Sequence, residues 1–144
     1  MTRGILAAAL AIALIPAVSA QERPNFAGKW KSTGSFNAWT ITVEGSRMTV
    51  TMTVAGNSDS TIYMLDGTPS PKTIEGPNGP VQNVYTSRWE DSVLVTTIKT
   101  AGPNSLIEKR WLEPDGTMKV QTILILPGGQ QPPPPPPSVL KKVG

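Results

Sequence analysis

The sequence predicts an all-β protein, folded as an antiparallel up-and-down barrel of about eight strands. Turn-forming residues recur at a regular spacing, since Gly34, Gly45, Gly56 and Gly67 lie eleven residues apart. The segments between such turns alternate apolar and polar residues and are rich in β-branched side chains. No window of the chain beyond residue 20 shows convincing helical periodicity. Short strands separated by about 8–12 residues are typical of β-sandwiches and β-barrels.

The first twenty residues are organised like a secretory signal peptide. Arg3 supplies a positive charge, residues 5–15 form an uninterrupted apolar run, and Pro16 ends that run. Small residues follow in Val18-Ser19-Ala20, as a signal peptidase requires. The run is shorter than the roughly twenty apolar residues that cross a bilayer. We therefore predict export to the periplasm or to the extracellular space.

The strands are predicted from period-two patterns. Thr49, Thr51 and Thr53 alternate with three apolar residues, so one face of this strand is hydroxylated and the other suits a core. Similar patterns give eight strands, at residues 28–33, 39–43, 49–54, 61–65, 81–89, 93–100, 106–112 and 118–126.

Two proline-rich stretches interrupt this pattern. Residues 68–80 contain four prolines, which cannot donate to a central ladder, so a long loop or a ragged edge is predicted there. Six consecutive prolines at 132–137 predict a polyproline II rod about 19 Å long. One interpretation gives this rod a function, as a ligand for a partner or as a spacer. The other interprets it as an expanded hairpin loop between the last two strands. Residues 138–143 are apolar enough to return as a short edge strand.

These features divide the chain into three parts. Residues 1–20 are the predicted signal peptide, and residues 21–127 are the predicted barrel domain. Residues 128–144 hold the Pro-rich C-terminal loop and the short closing strand.

The composition excludes several kinds of chemistry. The chain has no Cys and no His, so it has no disulfide, no thiolate nucleophile, no imidazole base and no Cys/His zinc site. Most of its acidic residues lie beside predicted turns, and no Gly-x-Ser-x-Gly elbow is present. We therefore predict no enzyme activity, no metal and no cofactor. The basic residues are scattered and the formal net charge is only +3, so no nucleic-acid partner is expected either.

Glu108 and Arg110 are the most informative charged residues. They alternate with Ile107 and Trp111, so the two pairs must occupy opposite faces of one strand. Either the charges point inward, where Arg110 needs a carboxylate or an aromatic ring, or they are solvated and the apolar pair is buried. The pattern alone leaves both orientations open.

The segment Phe26-Ala27-Gly28-Lys29-Trp30 resembles the Gly-x-Trp opening of the calycin superfamily, which comprises lipocalins, fatty-acid-binding proteins and avidins. In those families the Trp closes one end of an antiparallel barrel, and lipocalins stack an Arg from a late strand across it. The resemblance implies structural roles for Gly28 and Trp30, with Arg110 as the stacking partner. Residues 65–67, 87–91 and 108–111 are also similar to small exported bacterial proteins of lipocalin-like type.

A small barrel of this kind predicts binding of an apolar or amphipathic small molecule in its mouth or interior. Tyr63, Tyr85 and Arg110 are the candidate ligand-binding residues, with the head group of a small amphipathic acid near the guanidinium. The alternative is a protein-interaction module, such as an exported protease inhibitor that inserts residues 21–25. A membrane-embedded barrel is not expected, because eight aromatic residues are too few for two interfacial girdles.

Cleavage after Ala20 is the first testable expectation. N-terminal sequencing of the exported protein should begin at Gln21 or at its cyclised form, because the apolar run and the small residues before position 21 direct the peptidase there. A sequence that begins at Met1 would contradict the export prediction.

Overall fold

The structure is a computed structural model and describes residues 23–144, so the predicted signal peptide lies outside the described residues. The described chain contains ten β-strands and no helix. The strands are β1 (Gly28–Ser32), β2 (Ala38–Glu44), β3 (Arg47–Val54), β4 (Asn57–Met64), β5 (Ser70–Gly76), β6 (Gly79–Glu90), β7 (Val93–Lys99), β8 (Ser105–Leu112), β9 (Met118–Ile125) and β10 (Ser138–Lys142).

The ten strands form one antiparallel sheet in the order β4-β3-β2-β1-β10-β9-β8-β7-β6-β5. Every strand pairs with its neighbour along the chain, with one exception, and β1 pairs in addition with β10. The exception is β4 and β5, which are the two edges of the sheet. The fold is thus an up-and-down barrel that is closed apart from one seam, which confirms the predicted fold class.

The barrel has ten strands where about eight were predicted, and the two additional strands are β5 and β10. β5 forms within residues 68–80, which the prolines marked as a loop or a ragged edge. An edge strand needs a ladder on one side only, so it accommodates Pro71 at little cost. The interpretation of residues 138–143 as an edge strand is wrong, because β10 lies between β1 and β9 and is paired on both sides.

Tight turns set the register of the hairpins. Ala55 and Gly56 alone connect β3 to β4, and both have positive φ, at 49° and 82°. Two-residue hairpin turns of this kind match the right-handed twist of the strands but need left-handed backbone at both positions. Glycine adopts that conformation without steric cost, and it stands at the second position here. The regular glycine spacing in the sequence therefore reports these reversals.

The N-terminal segment closes one end of the barrel. Phe26 and Trp30 are each 2 % exposed, and the Trp30 indole Nε1 donates to the Phe26 carbonyl oxygen at 2.9 Å. The buried core around them consists of Ile41, Met48, Val50, Tyr63, Leu94, Met118 and Leu140. Trp30 is therefore buried beneath the N-terminal segment, and its role in closing this end stays a prediction of the resemblance to calycins.

The cation that lies across Trp30 comes from a different residue than predicted. Lys142 Nζ lies 5.8 Å from the centroid of the Trp30 ring, whereas Arg110 lies over Tyr63. Trp30 and Lys142 are direct partners in the β1–β10 ladder, while β9 and β10 separate β8 from β1. Gly28 allows this approach, since a Cβ there would meet Lys142 Cε at 2.8 Å. Arg110 as the stacking partner of Trp30 is therefore wrong.

The six prolines lie in the connection between β9 and β10. This connection turns back where the Leu126 amide donates to the Gln130 carbonyl at 2.8 Å. One side-chain hydrogen bond reaches the prolines, from Gln121 Nε2 to the Pro135 carbonyl at 3.4 Å. Residues 133–136 are exposed. This placement fits an expanded hairpin loop between the last two strands.

Truncation of Trp30 tests its role in closing the barrel. Trp30→Ala should lower the free energy of unfolding by about 3–5 kcal/mol, because it removes a fully buried indole and its hydrogen bond. Trp111→Ala is the control, since Trp111 points outward from β8 and should cost clearly less. Denaturant titration measures both losses. A loss below about 1 kcal/mol for Trp30→Ala would contradict the assignment.

Shortening the six prolines to two should leave the fold intact. The remaining connection still spans the distance from the end of β9 to the start of β10, because each extended residue covers about 3.3 Å. Loop length changes closure entropy only weakly, by about 0.6 kcal/mol per doubling. Thermal unfolding followed by circular dichroism measures the effect. A collapse of the melting temperature would show that the prolines pack on the barrel.

Candidate functional site

A cavity of about 200 Å³ lies inside the barrel. Its lining comes from strands on opposite sides of the sheet and includes Trp39, Val50, Tyr63, Arg110, Val120 and Leu140. Apolar and polar groups contribute about equally to this lining, and its charged residues are Glu108 and Arg110. These strands lie opposite one another because the single ten-stranded sheet is curved into a barrel.

Glu108 and Arg110 both point into the barrel, which decides between the two orientations that the sequence left open. Arg110 faces Leu94 on β7 and Val120 on β9, two residues on the inward face. The Arg110 side chain is 5 % exposed and that of Glu108 is 14 % exposed. Their ion pair has a distance of 3.0 Å between Nη2 and Oε1. Trp111, on the outward face, instead donates to Glu113 at 2.8 Å.

The structure brings the three predicted site residues together. The Arg110 guanidinium carbon lies 5.6 Å from the centroid of the Tyr63 ring. Tyr63 and Tyr85 pack edge to face, with ring centroids 5.5 Å apart and an angle of 72° between the rings. Tyr63 is buried and Tyr85 is half-buried. Tyr63 and Arg110 line the cavity, whereas Tyr85 contacts Tyr63 but is not one of the lining residues.

Glu108 forms a cluster with Arg110 and Tyr63, although the sequence-based set of ligand-binding residues did not include it. Its Oε1 accepts from Arg110, and its Oε2 accepts from the Tyr63 hydroxyl at 3.3 Å. The signal for it was the two-residue spacing from Arg110, which places both side chains on one face of β8. That spacing assigns Glu108 to the interior only once the structure shows that the face of Arg110 points inward.

Burial and charge control the ionisation of the cluster. Burial raises the pKa of Tyr63 well above its ordinary value, and the Glu108 carboxylate raises it further. Burial by itself lowers the pKa of Arg110, but the Glu108 charge and Tyr63 outweigh burial, so the net direction is upward. Arg110 therefore stays protonated and Tyr63 stays neutral at physiological pH. The ion pair leaves the cluster with no net charge.

One nitrogen of the Arg110 guanidinium has no hydrogen-bond partner within residues 23–144. Nη2 donates to Glu108, and Nη1 makes a weak contact of 3.6 Å with the Met118 sulfur. The Nε–H is buried and has no hydrogen-bond partner among residues 23–144. A buried donor without a partner costs about 1–3 kcal/mol relative to a satisfied one. Arg110 thus keeps a buried N–H donor that no acceptor within residues 23–144 satisfies.

Side chains bridge the seam beside this cavity, because no backbone ladder joins β4 to β5. Lys72 on β5 reaches Asp59 on β4 with an Nζ–Oδ2 distance of 2.5 Å. Lys72 Nζ also donates to the Thr61 hydroxyl at 2.8 Å. Of the three residues in this bridge, Thr61 lines the cavity, whereas Lys72 and Asp59 do not.

A second concavity, an open groove of about 540 Å³, lies outside the closed end. Phe26 stacks on Trp89 with 6.0 Å between ring centroids, and the Arg23 guanidinium lies 5.4 Å from the same ring. Residues 23–25 therefore line a groove of their own barrel, whereas the protease-inhibitor alternative requires them as an inserted element. No cluster of acidic side chains suited to a metal occurs within residues 23–144.

Comparisons with known proteins support the fold alone. No family model and no curated protein sequence matches the chain. Among solved structures, the chain is similar to a "secretary abundant heat soluble (SAHS) protein" from Ramazzottius varieornatus. The two share 13 % sequence identity at a TM-score of 0.60, over 87 % of this chain and 100 % of that chain. Within the described residues, no helix is long and apolar enough to cross a membrane.

The raised pKa of Tyr63 predicts the behaviour of the protein at alkaline pH. The folded state keeps Tyr63 neutral at pH values where the unfolded chain ionises. The stabilisation is therefore complete below about pH 10, the pKa of an unfolded Tyr, and is lost as the pH rises through the folded pKa. Denaturant titrations across this range should show falling stability.

The variant Tyr63→Phe provides the control for this pH dependence. The variant should remove most of the loss of folding stability at alkaline pH. Tyr85, whose pKa is also raised by burial, should account for the remaining loss of stability. Absorbance of the tyrosinate measures the ionisation directly, because the chain has only two tyrosines. If both tyrosines of the wild type titrate near about pH 10, the burial argument is wrong.

Proposed function

We propose that this protein is an exported binding protein that holds one apolar or amphipathic small molecule inside its barrel. The observation that carries the proposal is the interior cavity, whose lining combines apolar side chains with the ion pair of Glu108 and Arg110. Ligand sites are typically apolar concavities in which a few placed polar groups fix the orientation of the ligand. The unused Nε–H of Arg110 supports the same function, because a ligand acceptor would satisfy it.

The volume of the cavity limits the size of the ligand. Drug-sized ligands occupy sites of about 300–1,000 Å³, whereas a dry cavity of about 150 Å³ accommodates benzene. A cavity of about 200 Å³ therefore suits a molecule with one ring or a short alkyl chain. Long-chain lipids exceed this volume unless the walls move.

Binding without catalysis is part of the proposal. The one carboxylate that lines the cavity, Glu108, is engaged by Arg110 and Tyr63 and is therefore a poor general base. The hydroxyl that lies nearest to it, on Tyr63, has a pKa raised by burial, which makes it a weak nucleophile. These groups are suited to orienting a ligand.

Calorimetric titration with a small neutral ligand such as acetophenone tests the proposed function. Wild-type protein should bind it saturably, with one ligand per chain. Val120→Phe should weaken binding by about tenfold or more, because the added ring occupies the cavity that Val120 lines. Val139→Phe is the matched control, since Val139 lies opposite Lys119 on the outward face and should leave affinity unchanged.

Two results would overturn the proposed site. One is the absence of saturable binding of any small apolar or amphipathic ligand to the wild type. The other is equal affinity of wild type and a folded Val120→Phe variant, which would place the ligand elsewhere.

A further inference from the structure

We infer that the interior site selects an uncharged ligand that carries a hydrogen-bond acceptor, and that it discriminates against carboxylates. This inference rests on the proposed function and names the ligand class of the same cavity. It differs from the amphipathic acid that the sequence predicted, and Glu108 is the reason.

The charge of Arg110 is already compensated. The residues that line the cavity include one cation, Arg110, and one anion, Glu108, which form an ion pair at 3.0 Å. A ligand carboxylate would approach Arg110 only beside the carboxylate of Glu108. Burial of an ionised carboxylate without a cation of its own costs far more than burial of a neutral polar group. The cavity is therefore unfavourable for an anion.

The cation at the seam does not change this balance. Lys72 forms an ion pair with Asp59 at 2.5 Å and donates in addition to Thr61. An anion that recruited Lys72 would break this bridge across the unpaired edges of the sheet. Both cations near the cavity are thus already engaged by carboxylates of this chain.

The unused donor defines what the site does accept. An arginine Nε–H donates and cannot accept, so its missing partner is an acceptor atom. The carbonyl oxygen of a ketone, aldehyde, ester or amide supplies such an atom without a net charge. The apolar part of the ligand would then contact Trp39, Val50 and Leu140, which line the same cavity.

Three ligands of nearly equal size separate these contributions. Acetophenone carries a neutral acceptor, benzoate carries a charge, and ethylbenzene has neither. At about pH 7, where benzoate is ionised, acetophenone should bind most tightly, and ethylbenzene should bind about tenfold more weakly or worse, because the donor stays unpaired. Benzoate should bind about a hundredfold more weakly than acetophenone or not at all.

The outcomes distinguish the inference from the proposed function. If none of the three ligands binds saturably, the proposed function fails. If benzoate binds as tightly as acetophenone, the protein is a binding protein but the inference is wrong. Equal affinity for ethylbenzene and acetophenone would show that the Arg110 donor is not used, and this also overturns the inference.

A pH series on wild-type protein gives an independent test. Only the neutral acid should bind, so the apparent affinity for benzoate should fall about tenfold per unit between about pH 6 and pH 8, above the pKa of an ordinary carboxylic acid. The titratable groups that line the site are Tyr63, Glu108 and Arg110, with Tyr85 packed against Tyr63 and with Asp59 and Lys72 at the seam. Acetophenone is the control for their titration, and its affinity should stay constant. An affinity for benzoate that does not change with pH would contradict the inference.

Neutralising Glu108 should reverse the preference. In Glu108→Gln the guanidinium loses its carboxylate but keeps an amide of the same shape, so benzoate should gain about tenfold or more relative to acetophenone. Glu113→Gln is the matched control, since Glu113 pairs with Lys119 and does not line the cavity, and it should leave the ranking unchanged. An unchanged ranking in a folded Glu108→Gln variant would overturn the inference. If that variant does not fold, the pH series on wild type decides.

Discussion

The pairing of β1 with β10 is the constraint on which the rest of this structure depends. It joins the meanders β1–β4 and β5–β10 into one sheet, and this sheet curls until its edges β4 and β5 meet at the seam, so that strands far apart in the sheet face one another across an interior. Because Trp30 and Lys142 are direct partners in this ladder, it also brings the ammonium group over the indole at the closed end. The same curvature places Arg110 of β8 over Tyr63 of β4, although these strands stand six places apart in the sheet order.

The ion pair between Glu108 and Arg110 determines the chemistry of the interior more than its stability. Desolvation offsets most of the attraction within a buried pair, so such pairs contribute little net free energy of folding. Their arrangement nevertheless fixes the charge of the cavity at zero, holds Tyr63 by a hydrogen bond, and leaves one guanidinium donor unpaired. An interior Arg alone would favour anions. The neighbouring carboxylate two residues earlier changes what the same position can recognise.

The seam between β4 and β5 lacks a backbone ladder, and side chains hold its two edges together instead. Prolines at and before the start of β5 make a second ladder on that strand unfavourable, so the sheet ends there. Lys72 links the two edges through Asp59 and Thr61 instead. Free strand edges are sites of aggregation, and charged side chains along an edge oppose pairing with another chain.

The sequence by itself determined the local features, because turn chemistry and side-chain alternation depend on neighbours along the chain. The glycines at positions 34, 45 and 56 marked three hairpins, and the alternation around Thr51 indicated the faces of its strand. The Gly28-x-Trp30 motif indicated the closed end. Tertiary structure alone decided which distant groups meet. Alternation shows that Glu108 and Arg110 share a face but not which face is inward, because that depends on how the sheet curls. Likewise, the partner of Trp30 follows from the β1–β10 register, which pairs residues more than a hundred positions apart, a separation at which no local pattern carries information.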